Sequence, residues 1–111
     1  MKSVSLNNIS ATTTSHNTAG QKKQMIAPGA VPHLVQFAQA TFKPGEVATE
    51  HKHPDLYEIF LVESGSGIIR IDDKEQAIEK GMSITVEPNE LHEVENTGDK
   101  ALVLTYFSIK D

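Results

Sequence analysis

Short apolar segments separated by turn residues predict an all-β fold for this chain. The segments are four to nine residues long and rich in Val, Ile, Thr and Phe, and no window carries a helical stripe longer than a turn or two. Segments of this length and spacing are typical of a sandwich or barrel. The six predicted strands are 35–42, 57–62, 68–71, 82–86, 91–94 and 101–109.

The beginning of the chain has a different composition. It is rich in Ser, Thr and Asn, so it can bury little apolar surface. We therefore predict an irregular N-terminal arm over residues 1–24 and a single β-barrel domain over residues 25–111. The sizeable apolar residues of the arm, which can dock on the barrel or on a neighbouring subunit, are Val4, Leu6 and Ile9.

Length and composition exclude several classes of protein. A chain of 111 residues forms one domain, and its net charge of -5 argues against nucleic acid as a partner, because phosphate binding needs a basic surface. The absence of cysteine excludes disulfides, thiolate metal sites and thiol catalysis. No apolar run is long enough for a signal peptide or a membrane span, so a soluble, cytoplasmic protein without a membrane partner is expected.

Candidate metal ligands concentrate between residues 51 and 58. His51 and His53 project to the same face of an extended strand, and Glu58 opens the next strand after the turn at Pro54. His92 begins a distant strand, which barrel closure can bring beside the other three. A His-x-His pair alone usually has no function, and Glu58 or His92 alone would be an ordinary strand residue. Together, three imidazoles and one carboxylate suit one divalent transition metal ion (Fe, Mn, Ni, Cu, Co or Zn).

The spacing of these residues resembles the first motif of the cupin family. That motif is a glycine, five residues, His-x-His, a glutamate after three or four more, and a further glycine. Gly45, His51, His53, Glu58 and Gly65 match it without a gap. The two glycines are also expected to form turns, because glycine tolerates a positive φ.

The second cupin motif is matched less completely. Gly81, His92 and Asn96 stand at the expected separations, whereas the proline is displaced by one position to Pro88 and Glu90 replaces a glycine. The resemblance implies a single-domain cupin double-stranded β-helix, a jelly-roll barrel of the RmlC-like type, with metal ligands His51, His53, Glu58 and His92. Asn96 is expected to bond backbone groups of the turn that follows it and to lie outside the site.

Strand alternation predicts the lining of the cavity. If Glu58 faces inward, Phe60 and Val62 face inward with it, and the hairpin at Gly65 turns Ile69 and Ile71 inward as well. His92 carries Val94 to the same side. The cavity beside the metal is then mainly apolar.

The opposite face of the strand that carries Glu58 is also apolar and needs a cover. Its residues are Tyr57, Ile59 and Leu61. A second subunit is the simplest cover, and the resemblance agrees because small cupins are often homodimers. The alternative is that the N-terminal arm covers this face within one chain.

Other polar residues have simpler interpretations. Arg70 falls on the outward face, and only a one-residue slip in register would make it an anchor for a substrate carboxylate. Glu50 and Tyr106 are candidate proton-handling groups, interpreted as a solvated carboxylate and a half-buried aromatic. Lys22 and Lys23 are interpreted as a solvated pair. His16 and His33 are interpreted as histidines outside the site.

Three functions are compatible with this site. The leading hypothesis is a metal-dependent dioxygenase or similar oxidoreductase that acts on a small, largely uncharged organic substrate. A non-catalytic cupin that binds metal and a small-molecule ligand, or senses that ligand, is the first alternative. A metal-dependent isomerase or decarboxylase is the second, although it would need more inward-facing charged residues than the pattern provides. Fold alone does not choose among these hypotheses.

Overall fold

The computed structural model describes residues 1–13 and 20–110, and this part of the chain folds into ten strands and one short 3-10 turn, Leu6–Asn8. The six predicted strands are confirmed to within two residues at each end. The strands are β1 (Thr12–Thr13), β2 (Gln21–Ile26), β3 (Leu34–Phe42), β4 (Val47–His51), β5 (Tyr57–Ser64), β6 (Ser66–Ile71), β7 (Lys74–Glu79), β8 (Ser83–Val86), β9 (His92–Glu95) and β10 (Leu102–Ile109).

The strands form two antiparallel sheets that enclose one core. The six-stranded sheet has the order β1-β2-β3-β10-β5-β8, and the four-stranded sheet has the order β4-β9-β6-β7. The core between them takes Phe42, Val62 and Leu102 from the larger sheet and Ile69 and Val94 from the smaller one. The all-β jelly-roll architecture predicted from the sequence is confirmed.

The predicted alternation of β5 is also confirmed. Glu58, Phe60 and Val62 are buried, whereas Tyr57 and Leu61 remain 43% and 41% exposed on the outer face. Within residues 1–13 and 20–24, no side chain of the N-terminal arm buries Tyr57 or Leu61. An apolar outer surface therefore accompanies the inner cavity.

The longest strands that were not among the predicted segments are β2 and β7. Both carry mostly Lys, Gln and Glu, so neither shows the apolar alternation by which a strand is recognised. β2 pairs with β3 from Gln21 onwards, and the predicted end of the arm at residue 24 falls inside this strand.

The interpretation of Lys22 and Lys23 as a solvated pair is wrong. Both side chains are partly buried, and they belong to opposite faces of β2. The Nζ of Lys23 donates a hydrogen bond to the Leu6 carbonyl oxygen at 3.0 Å, which ties the arm to the outer face. Leu6 and Ile9 are partly buried, whereas Val4 stays exposed.

No helix within residues 1–13 and 20–110 has the length and apolar character needed to cross a membrane.

Candidate metal centre

His51 and His92 are brought together by direct strand pairing. β4 and β9 are antiparallel neighbours, and in their register His51 stands opposite His92. Cross-strand partners project to the same face of a sheet, and the centroids of the two imidazoles lie 4.2 Å apart. The expectation that barrel closure places His92 beside the first motif is confirmed for this pair.

Glu58 approaches the histidines from the opposite sheet. It is the second residue of β5, it is only 6% exposed, and its Oε1 faces the imidazoles. The Nε2 atoms of His92, His53 and His51 lie 2.9, 3.5 and 3.8 Å from this one oxygen. Three imidazole nitrogens therefore converge on a single carboxylate oxygen.

His53 follows β4 in the loop that leads to β5. Its ring centroid is 5.2 Å from that of His51, as expected for side chains two residues apart. The carbonyl oxygen of His53 accepts a hydrogen bond from the Asn89 backbone N–H at 2.8 Å. The loop that carries His53 is thus held by the turn that precedes His92.

That turn departs from the motif, and the structure shows how it closes. Asn89 adopts a positive φ of 69°, a conformation in which asparagine is tolerated better than most residues. The carboxylate of Glu90 accepts a hydrogen bond from the Glu87 backbone N–H at 2.7 Å and so closes the turn. The turn thus still contains one residue with a left-handed backbone conformation, Asn89, although it lacks the glycine of the motif.

Glu90 also orients His92 through its main chain. The Nδ1 of His92 lies 3.0 Å from the Glu90 carbonyl oxygen, which can only accept a hydrogen bond. Nδ1 is therefore the donor of this contact, and Nε2 is the ring nitrogen directed at Glu58. Backbone bonds of this kind commonly fix the orientation of metal-binding histidines.

The charge of Glu58 is stabilised by its histidine neighbours. Burial acts to raise the pKa of Glu58, but the imidazoles of His51 and His92, with the charges of protonated His92 and His53, outweigh it and lower the pKa to about 2. Burial lowers the pKa of His53, against the opposing attraction of Glu58. Both shifts favour the forms that bind metal, an ionised carboxylate and a neutral imidazole.

The dimensions of the cluster fit one metal ion. The candidate ligand atoms of His51, Glu58 and His92 all lie within 4.8 Å of one another. Two atoms bonded to one ion at about 2.1 Å are about 3 Å apart at right angles and at most about 4.2 Å apart when opposite. The Nε2–Oε1 distances from His92 and His51 to Glu58, 2.9 and 3.8 Å, fall in that range, and His53 is not part of this group. His51, Glu58 and His92 form a possible metal site.

A cavity of about 150 Å³ opens beside the candidate ligands. Apolar side chains form most of its wall, including Phe60 and Leu104, and Glu58 is the one carboxylate among the lining residues that the structure describes. Tyr106, predicted to be half-buried, is only 8% exposed and stacks on Phe60 with ring centroids 5.4 Å apart. Burial, followed by the charge of Glu58, raises the pKa of Tyr106 to about 12, so the phenol keeps its proton at neutral pH.

A polar row runs across the six-stranded sheet at the level of Glu58. Ser108 pairs with Glu58 on one side and with Gln36 on the other, and all three line the cavity. The Ser108 hydroxyl lies 3.5 Å from Glu58 Oε2. Sequence analysis did not identify Gln36 or Ser108, because only the strand register shows that they share a row with Glu58.

The other residues considered from the sequence lie outside this centre. Glu50 is exposed, and the Nδ1 of His33 lies 3.3 Å from the Lys110 carbonyl oxygen, away from the site. His16 lies outside the described residues. Asn96 is 1% exposed, and its amide donates to the carbonyl oxygens of Phe42 and Lys100 and accepts from the Gly98 N–H. The structural role expected for Asn96 is confirmed.

The idea that Arg70 anchors a substrate carboxylate is wrong. Arg70 alternates with buried Ile69 and faces outward from β6, as the register predicted. Its guanidinium donates to the carboxylates of Glu75, Glu93 and Glu95, each at 2.9 Å.

Comparison with known proteins agrees with this geometry. A family model described as a cupin domain matches residues 38–109, which hold all four candidate ligands and both motifs. The chain belongs to the cupin family. Its sheets are accordingly those of a cupin double-stranded β-helix, and the resemblance found in the sequence is confirmed.

Among curated proteins, this cupin is similar to the tetracenomycin polyketide synthase protein TcmJ of Streptomyces glaucescens. The two are 31% identical over 94 residues, which cover 82% of this cupin and 62% of TcmJ. An oxalate-binding protein of Thermotoga maritima is 32% identical over 66 residues, which cover 60% of this cupin and 54% of that protein. The chain thus spans little more than half the length of these relatives.

Solved structures give the same fold. A predicted oxalate decarboxylase from Thermotoga maritima superposes with a TM-score of 0.91 at 23% identity, covering 99% of this cupin and 100% of that chain. The Schizosaccharomyces pombe Cnp3 cupin domain gives a TM-score of 0.84 at 13% identity, covering 98% of this cupin and 74% of that chain. At such identities the likeness concerns the fold alone.

Proposed function

We propose that this cupin binds one divalent transition metal ion through His51, His53, Glu58 and His92. The observation that carries the proposal is the convergence of the His92 and His51 Nε2 atoms on Oε1 of the buried Glu58, at 2.9 and 3.8 Å. Imidazole nitrogens and a carboxylate oxygen form a donor set that suits a divalent transition metal ion. His53 joins as the fourth ligand because its Nε2 reaches the same oxygen at 3.5 Å.

We further propose that the bound centre is an oxidoreductase of the dioxygenase class, acting on a small organic substrate. A transition metal with four protein ligands supplies Lewis-acid and redox chemistry at the positions left for other ligands. The cavity of about 150 Å³ is small beside the roughly 300–1,000 Å³ of pockets for drug-sized ligands, which favours a small substrate. Apolar side chains form most of its wall, and the protonated Tyr106 hydroxyl can donate a hydrogen bond to a substrate oxygen.

A second candidate function is non-catalytic binding of metal and a small ligand. It is favoured by the similarity to the oxalate-binding protein, whose name specifies binding and no reaction. The same four residues would hold the metal, and the ligand would occupy the same cavity without turnover.

Metal content and oxygen uptake test these proposals in turn. Purified full-length protein should hold about one equivalent of a transition metal per chain, and an empty site after growth with ample metal would refute the metal centre. Oxygen-electrode screening of small diketones, phenols and thiols should then find a consumed substrate. Tight binding of such a compound without oxygen consumption would replace the dioxygenase proposal with the binding function.

We also propose that the chain forms a homodimer through the outer face of the six-stranded sheet. Tyr57, Leu61 and Ile109 keep 43%, 41% and 37% of their surface exposed there, and a second copy would bury this apolar patch. Light scattering should report a dimer for the native chain and a monomer for Leu61→Glu. A monomeric native chain would contradict this assembly.

A further inference from the structure

Lys22 lies on the face of β2 that continues the wall of the cavity. In the antiparallel register Lys22 stands opposite Ala40, and Ala40 stands opposite Leu104. Ala40 and Leu104 both line the cavity beside the metal centre. Because paired residues of antiparallel strands project to one face, the Lys22 side chain starts on the inner face, beside the cavity wall.

The charge of Lys22 is not neutralised within the described part of the chain. Among residues 1–13 and 20–110, its ammonium makes no hydrogen bond or ion pair, whereas the neighbouring Lys23 ammonium donates to a carbonyl oxygen on the other face. Partial burial lowers the pKa of Lys22, and the charge of Glu58 acts in the opposite direction. Partial burial of an ammonium that makes no direct ion pair is unfavourable, so a small anion that approached Lys22 would be stabilised.

The charges around the cavity also favour an anionic ligand. Within residues 1–13 and 20–110, Glu58 is the one carboxylate that lines the cavity, and its negative charge offsets only part of the charge of a divalent ion. The Lys22 ammonium adds a second positive centre on the inner face. Gln36 and Tyr106 add neutral hydrogen-bond donors to the wall and no negative charge at neutral pH.

We propose that Lys22 is the charge-selecting residue of this site and that the ligand is a small organic carboxylate with a second oxygen donor. This inference rests on the proposed metal centre and replaces the largely uncharged substrate expected from the sequence. The carboxylate meets two positive centres, the metal and the ammonium, whereas a neutral ligand of the same shape gains only from the metal.

Calorimetry on Co(II)-loaded full-length protein tests this inference with two probes of matched shape. Pyruvate and butane-2,3-dione both offer two adjacent oxygens, and they differ in that one methyl group is replaced by a charged oxygen. Lys22→Met should weaken pyruvate binding by roughly tenfold to a hundredfold, since a hydrogen bond to a charged group is lost. It should leave Co(II) stoichiometry and dione affinity unchanged, and Lys22→Arg should retain most of the pyruvate affinity.

Lys23→Met is the matched control, because it removes the same charge from the opposite face of β2. Equal losses of pyruvate affinity in the two Met variants would overturn the role of Lys22. Equal weakening of both probes by Lys22→Met, or no pyruvate binding by the Co(II)-loaded native chain, would also overturn it. Failure of the native chain to take up Co(II) would refute the metal centre itself, so the two failures are distinguishable.

Discussion

This molecule has two charged clusters, one inside the barrel around Glu58 and one on its outer face around Arg70. Inside the barrel, the carboxylate of Glu58 faces three imidazoles at 2.9 to 3.8 Å. On the outer face of the four-stranded sheet, the guanidinium of Arg70 faces the carboxylates of Glu75, Glu93 and Glu95 at 2.9 Å each. Each cluster thus gathers three groups of one kind around a single group of the other.

The difference between them lies in how far each cluster is complete. In the outer cluster every contact joins an N–H donor to a carboxylate acceptor, and solvent screens the remaining charge. In the inner cluster three imidazole nitrogens face one carboxylate oxygen, and both Glu58 and His92 are buried. The outer cluster is therefore complete without a ligand, whereas the inner cluster has the donor set of a transition-metal site.

Replacing a ligand of the inner cluster should have the largest effect. His92→Ala should lower metal affinity by at least about a hundredfold, because even groups that only support a ligand change affinity by about 10- to 100-fold. Competition with a chromophoric chelator measures the change. His33→Ala removes an imidazole outside the site and should leave affinity unaltered; a similar loss in both variants would remove the distinction between the clusters.

Acid should reveal the charge of Glu58 in the metal-free protein. The folded pKa of about 2 lies below the ordinary value of 4.5, so the ionised group stabilises the fold above pH 4.5. That contribution, roughly 3 kcal/mol at full size, is lost as the pH falls from 4.5 through about 2. Urea unfolding of chelator-treated protein should therefore give a higher free energy of unfolding for the native chain than for Glu58→Gln. This difference should disappear as the pH falls through the same range.

Glu63→Gln is the matched control for this titration, because Glu63 is an exposed carboxylate on the same strand. Its free energy of unfolding should follow that of the native chain at every pH. A difference for Glu58→Gln that stayed constant from pH 6 to pH 2 would contradict a lowered pKa for Glu58 in the folded protein.

The outer cluster should give the smallest effect. Arg70→Met should lower the melting temperature by no more than a few degrees at low salt, and the loss should vanish in 1 M NaCl, where charges are screened beyond about 3 Å. Lys74→Met removes an exposed charge nearby and serves as the control. A large loss that persisted in salt, or any change in metal content, would mean that Arg70 supports the interior.

The approach of His51, His53 and Glu58 to one another was predictable from the sequence, because it depends on short-range geometry. His51 and His53 share a face through the period of a strand, and turn residues on either side limit where Glu58 can fall. The pairing of His92 with His51 depends on a long-range register, which the motif resemblance supplied and composition could not.

Features at strand edges and turns were not predictable in the same way. β2 carries Lys22, Lys23 and Gln24, whose polarity is typical of an irregular arm as much as of an edge strand. The inward direction of Lys22 depends on its register with Ala40, which only the folded sheet shows. The left-handed conformation at Asn89 was likewise hidden, because asparagine permits it without requiring it.

Anomalous diffraction from crystals of the Co(II)-loaded protein tests the metal centre most directly. One peak per chain is predicted, at about 2.0 to 2.3 Å from the Nε2 atoms of three histidines and an oxygen of Glu58. The three histidines are His51, His53 and His92. A map without a peak at this position, or with the cobalt bound to other residues, would contradict a metal centre in this barrel.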